Sequence, residues 1–259
     1  MGLLLALKFL TVIPLPPRHQ AAAEDTGRSV VYFPVAGLLL GLILVGLDRL
    51  LELALPASLT NLLLVIVMVA ITGALHLDGL ADTCDGVMLR TSPRERLRIM
   101  ADSHVGTFGV VGVCLIILLK YVALSAISDD LRVPALLLMP SLSRWAMVFA
   151  IGSFTYARET GTGQTFKSQA SSGRVAIASV MAIVISVTVA GYGGLALIAA
   201  LCCVVFGMAS WFRQRLGGLT GDTYGAISEV VEVLVLILLP LLARIVSTHF
   251  IGPWDVYNL

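Results

Sequence analysis

The run His76-Leu77-Asp78-Gly79-Leu80-Ala81-Asp82-Thr83-Cys84-Asp85-Gly86 places three carboxylates four and then three residues apart. On a helix of 3.6 residues per turn that spacing leaves them within about 60° of one another, on one face. Carboxylates so close repel unless a cation neutralises them, and hard oxygen ligands suit Mg²⁺ or Mn²⁺ rather than zinc. Asp78, Asp82 and Asp85 are therefore the candidate metal ligands. Gly79 and Gly86 each cost a helix about 1 kcal/mol relative to Ala. That cost is understood if something, such as a bulky phosphorylated substrate, must approach the backbone closely. The competing explanation is a solvated acidic helix end marking a membrane boundary. Against it, carboxylates at a helix C-terminus oppose the macrodipole, and such a boundary more naturally carries Lys or Arg.

Further candidates follow along the chain. Asp102-Ser103-His104-Val105-Gly106-Thr107-Phe108-Gly109 returns a fourth acid, Asp102, as metal ligand or base. Gly217-Gly218-Leu219-Thr220-Gly221-Asp222-Thr223-Tyr224-Gly225-Ala226 brings Asp222, with Glu229 seven residues on and on the same helix face. Acids that early in a span are functional by default. Ser92, Pro93 and Glu95 carry the N-terminal signature of a short helix, after Arg90 and with Arg94 and Arg98 one turn apart. Those arginines suit phosphate or anionic lipid, or simply supply positive charge at the membrane. Lys120 and Arg144 lie in apolar stretches, where a cation costs roughly 3 kcal/mol and faces a polar cavity or a partner. Both are candidate phosphate contacts; the alternatives are snorkelling of Lys120 and a structural ion pair for Arg144. The loop 156–167, with Arg158 and Lys167 among Gly and hydroxyl residues, has a composition able to wrap a phosphate, although such residues are ordinary in loops.

These residues sit in a chain that is 58% hydrophobic and 13% charged, with a mean hydropathy of +0.96, a membrane composition. A net charge of +1 offers no general field for nucleic acid. Cys84, Cys114, Cys202 and Cys203 have no metal-ligand spacing. Apolar stretches at about 30–48, 58–77, 105–127, 133–152, 174–190, 194–211 and 229–247 predict an all-α, polytopic bundle of seven spans with short interfacial helices. The fifth and sixth share Gly191, Gly193 and Gly194, which makes them a tight hairpin or one broken pair. Residues 1–13 read as a retained interfacial or re-entrant segment. One side collects Lys8, Arg18, Arg28, Arg90, Arg94, Arg96, Arg98, Arg158, Lys167, Arg174, Arg213 and Arg215, against Arg49, Arg132 and Arg244 on the other. The positive-inside rule turns the first set to the cytoplasm. The expectation is a single integral membrane domain over 1–259, with active-site segments near 76–109, 153–174 and 213–232 on that side. Gly37 and Gly41 form a small-xxx-small face that would serve a homo-oligomer or packing within one chain.

The blocks His76 to Gly86, Asp102 to Gly109, Ser143-Arg144, Tyr156-Ala157-Arg158 with Gly161 and Gly163, and Gly221-Asp222 with Gly225-Ala226 and Glu229 resemble, in order, those of the cobalamin synthase family, the membrane-bound adenosylcobinamide-GDP ribazoletransferases. The resemblance covers nearly the whole chain. It implies an Mg²⁺-dependent transferase of the bacterial inner membrane that joins adenosylcobinamide-GDP to α-ribazole or its 5′-phosphate and releases GMP. Asp78, Asp82 and Asp85 then hold metal, and His76, Asp102 and Asp222 serve catalysis. Arg90, Arg144, Arg158, Lys120, Gly86 and Glu229 serve substrate and phosphate. Asp82-Thr83-Cys84-Asp85-Gly86-Val87-Met88-Leu89-Arg90 is also similar to the opening of the CDP-alcohol phosphotransferase motif. Leu89 replaces an Ala there, and the later Gly and paired acids are not matched. A small transporter would want ionisable groups at the midplane and internal repeats, but the acids crowd one interface and no repeat is found.

Overall fold

Eleven helices make up a computed structural model of the chain that describes residues 2–14 and 22–246. Arg18, counted above among the cations of one side, lies outside the described residues. After α1 (Gly2–Leu10) and α2 (Ala23–Arg28), a 3-10 turn leads into α3 (Phe33–Leu51). Then come α4 (Ala57–Thr72), α5 (Leu75–Met88), α6 (Pro93–Ile99), α7 (Thr107–Ser125), α8 (Asp129–Ser153), α9 (Thr162–Gln169), α10 (Ser172–Leu216) and α11 (Gly221–Val246).

The central element is α8, 89% buried in its most apolar window although it carries Pro134 and Pro140. A helix buried all round belongs at the middle of a bundle, and α3, α10 and α11 pack about it. Gly37 and Gly41 make the α3 contact: a Cβ on either would run into the α8 backbone at Pro140 or Leu136. That small-residue face is therefore filled from within the chain and is not available to a second copy. Leu115, Leu118 and Val122 of α7, Val180 and Val184 of α10, and Ile237 and Leu241 of α11 stay exposed, as lipid-facing positions do.

Five helices, one of them counted from Ala23 through α3, are long and apolar enough to cross a membrane, and α4 with α5 forms a sixth unit bent by 88°. The bend falls on Gly73 and Ala74, both left-handed at φ 60° and 58°. The 45-residue α10 is two crossings. Its helical geometry fails at Ala190 and Gly191, and a Cβ on Gly194 would strike the backbone of Ser186. Eight residues along a straight helix would be about 12 Å apart, so the chain has doubled back. Arg96 donates to the Arg215 carbonyl at 3.0 Å and Trp145 to Ser179 at 3.1 Å, which brings both ends of α10 to one face. Counting α3, α4, α7, α8, two arms of α10 and α11 gives seven crossings among the described residues. The protein is thus a multi-pass membrane protein, and the hairpin settles the alternative left by the shared glycines.

Because α5 turns 88° away from α4, it runs across the bundle and packs on the start of α11 and of α7. Gly79 fits α5 against the α11 backbone at Asp222, and Gly225 lies against His76. The close approach expected at the α5 glycines is therefore by helices. Gly86, expected at the substrate, packs instead against Met100 and the Arg96 carbonyl at the end of α6. In α6 the Ser92 hydroxyl accepts from the Glu95 amide at 3.3 Å, the expected N-cap.

Candidate active site

The acids come together through three elements. The loop after α8 is fastened to the loop before α11 by a short parallel bridge: Ala157 N donates to Leu219 O and Leu219 N to Thr155 O, both at 2.8 Å. This places Arg158 2.8 Å from Asp222. The tight crossing at Gly79 then sets Asp222 beside the acids of α5. Asp82 is half-buried, and burial, followed by the carboxylates of Asp222 and Asp78, pushes its pKa up to about 7. Asp78, Asp82 and Asp222 thus form one carboxylate cluster against a single guanidinium.

Asp85 departs from the expected metal set. Its carboxylate accepts from the amides of Gly106 at 2.7 Å and Gly109 at 2.9 Å, at the start of α7. Gly106 and Gly109 are glycines for this reason, since a Cβ on either would collide with that carboxylate. A carboxylate serving backbone N–H groups at a helix N-terminus stabilises the helix. Asp85→Ala should cost about 1–2 kcal/mol of stability, read as a lower unfolding temperature in detergent. Asp85→Asn should recover part of that loss by keeping one acceptor oxygen.

Other expected site residues lie elsewhere. Asp102 sits on an exposed loop, where the His104 ring and then its amide pull the carboxyl below the usual range. Arg90 is exposed on the turn after α5 and does not line the cavity. Lys120 and Arg144 do not line the cavity either. Lys120 is buried against Glu229 at 2.6 Å and against Glu232, and Arg144 is buried against Glu232. A buried cation in a span requires such a partner, so the ion-pair alternative holds for Arg144, and Glu229 is its neighbour in a charge network instead of a substrate contact. Glu232 and Ser143 complete that network. His76 lies against it: Nη2 of Arg144 is 3.3 Å from its Nδ1. A guanidinium only donates, so Nδ1 accepts and the imidazole proton is on Nε2. His76 therefore has no free lone pair with which to act as a base.

A cavity of about 320 Å³ opens beside the cluster. Its polar lining includes His76, Asp78, Asp222, Arg158, Tyr156, Thr162 and Tyr224, beside Gly161 and Gly163 of the loop 156–167. Its apolar lining includes Phe9, Phe33 and Phe166. These rings, from α1, the start of α3 and α9, were not legible as a site because no spacing links them. The expected interfacial segment 1–13 thus contributes a cavity wall. A second, more open basin gathers Arg94, Arg98 and Arg158 with Ser92 and Thr160.

The fold and this site define a polytopic membrane protein whose polar chemistry is concentrated where α5 crosses the ends of its spans. The family model described as cobalamin-5-phosphate synthase matches residues 2–240. The chain belongs to that family. It is 44% identical over 235 residues to an adenosylcobinamide-GDP ribazoletransferase of Geotalea daltonii, covering 90% of this chain and 94% of the relative. Proteins of the same name from a Roseiflexus species and from Acetivibrio thermocellus are 39% and 37% identical, over 94% and 91% of this chain and 91% and 96% of theirs. No solved structure matches.

Proposed function

We propose that this chain transfers the phosphate-linked cobinamide of adenosylcobinamide-GDP to α-ribazole or its 5′-phosphate and releases GMP, in the last steps of cobalamin synthesis. The observation that carries the proposal is the carboxylate cluster facing Arg158 at the mouth of a nucleoside-sized cavity, in a chain 44% identical to a relative of that name. A ribose hydroxyl of the acceptor attacks the phosphorus that bears the cobinamide, and the bond to the GMP oxygen breaks. Arg158 binds phosphate oxygens, and the basic basin at Arg94 and Arg98 suits the departing nucleotide. One carboxylate of the cluster takes the hydroxyl proton.

Among the described residues no three His, Cys, Asp or Glu side chains stand as a formed metal site. The cluster nevertheless fits Mg²⁺ by chemistry: three hard carboxylates oppose one guanidinium, so negative charge is left uncompensated. Asp78, Asp82 and Asp222 would hold the ion, which would neutralise phosphate oxygens when bound. The crowding of cations on the α5 face supports placing that face in the cytoplasm and the protein in the bacterial inner membrane.

Purified protein in detergent, given adenosylcobinamide-GDP, α-ribazole and Mg²⁺, should form a corrinoid product and GMP. Release of CMP from a CDP-alcohol with no corrinoid product would instead assign the chain to phospholipid chemistry. The pH dependence of the metal requirement has a definite sign. Asp82 holds its proton until about pH 7 in the absence of metal, so a bound cation must displace it. Half-saturating Mg²⁺ should therefore fall as pH rises from about 6 to 8, steeply below 7 and little above it. A flat titration across that range would remove Asp82 from the metal set. Without metal, stability should decline as pH rises from about 4 to 7, because the unfolded aspartate loses its proton first.

A further inference from the structure

The cavity lining divides by chemistry. Phe9 and Phe166 have ring centroids 4.5 Å apart, and Phe33 and Phe166 5.3 Å. The three rings touch and form a continuous apolar wall, extended by Met147 and Ile151. Two polar residues of the same cavity, His76 and Tyr224, are 1% and 2% exposed, and each keeps a buried atom without a partner, Nε2 and Oη. The contact from Arg144 leaves His76 Nε2 as an N–H donor. A buried donor is costly to leave unpaired, and a ligand that brings an acceptor removes the cost.

We propose that this aromatic chamber holds the flat base of the nucleoside acceptor, a ribosyl benzimidazole, with His76 Nε2–H donating to the unprotonated ring nitrogen and the Tyr224 hydroxyl beside it. The inference rests on the ribazole-transfer function proposed above. A benzimidazole is apolar apart from that one acceptor, which matches a phenylalanine wall with few polar atoms. Guanine presents several donors and acceptors along one edge, and the apolar wall would leave most of them unpaired. The corrinoid ring with its side chains exceeds about 320 Å³ and stays outside. With the base in the chamber, the ribose lies toward Asp78, Asp222 and Arg158, where its hydroxyl must react. The Arg144–Glu232 pair acts as a positioning device that fixes the His76 tautomer.

The test is binding of α-ribazole to full-length protein in detergent without corrinoid substrate, with GMP as competitor, alongside steady-state kinetics of Phe166→Leu and Tyr224→Phe. Expected are α-ribazole binding that GMP does not displace, and a KM for α-ribazole raised about tenfold in Phe166→Leu with the KM for adenosylcobinamide-GDP unchanged. Tyr224→Phe keeps the ring and removes one oxygen, so it reports on the site even where Phe166→Leu fails to fold. GMP displacing α-ribazole, or a KM change confined to adenosylcobinamide-GDP, would assign the chamber to guanine and overturn the proposal. Turnover with an unchanged α-ribazole KM in both variants overturns the chamber alone. Absence of turnover by the wild type defeats the transferase function itself.

Discussion

Asp82→Asn is expected to lower kcat by at least about 10²–10³-fold, the scale on which one preorganised charge at a reacting phosphate or oxyanion matters. The amide is nearly isosteric and loses only the charge that, with Asp78 and Asp222, makes the cluster attractive to a cation. Like-charge repulsion within the cluster is relieved by the change, so the unfolding temperature of the metal-free variant should stay level or rise. GMP release and thermal unfolding in detergent measure the two effects on one sample. The matched control is Asp102→Asn, expected within about twofold of wild type because its exposed carboxylate lies outside the cavity. Equal losses in the two variants would show that the arrangement of acids described above is not the reacting one.

The second large effect is on stability. Glu232 is fully buried and pairs with both Lys120 and Arg144. Glu232→Gln leaves Arg144 in the interior without a carboxylate and Lys120 with only Glu229. Breaking a buried pair from one side costs about 3–5 kcal/mol, enough to lower the unfolding temperature markedly. Replacing Lys120 with Met and Glu229 with Gln together removes one charge of each sign and should cost less than Glu232→Gln alone. An unfolding temperature unchanged by Glu232→Gln would mean that the network does not hold the bundle.

What the sequence discloses and what it conceals follow from range. Spans, the α6 cap and the spacing of Asp78, Asp82 and Asp85 are local properties, readable from period and composition. The fate of Asp85 was not readable, because its partners are two backbone amides more than twenty residues away. Nor was the Arg158–Asp222 pair, which depends on the bridge between Tyr156 and Leu219. Lys120 and Arg144 stand out in the sequence as intramembrane cations, but the sequence does not distinguish a ligand from an ion-pair partner, and Glu232 supplies the partner. The aromatic chamber drew on three distant phenylalanines that carry no pattern.

The network also bears on how the chain enters a bilayer. Lys120 and Arg144 belong to α7 and α8, while Glu229 and Glu232 belong to α11, translated at least 85 residues after Arg144. During synthesis both cations reach the membrane before either carboxylate exists. Each carries an insertion penalty of roughly 3 kcal/mol on translocon scales until α11 arrives. Integration of the seventh crossing is therefore the step that discharges those penalties and delivers Asp222 to the α5 acids, so that membrane insertion and assembly of the site are completed by a single helix.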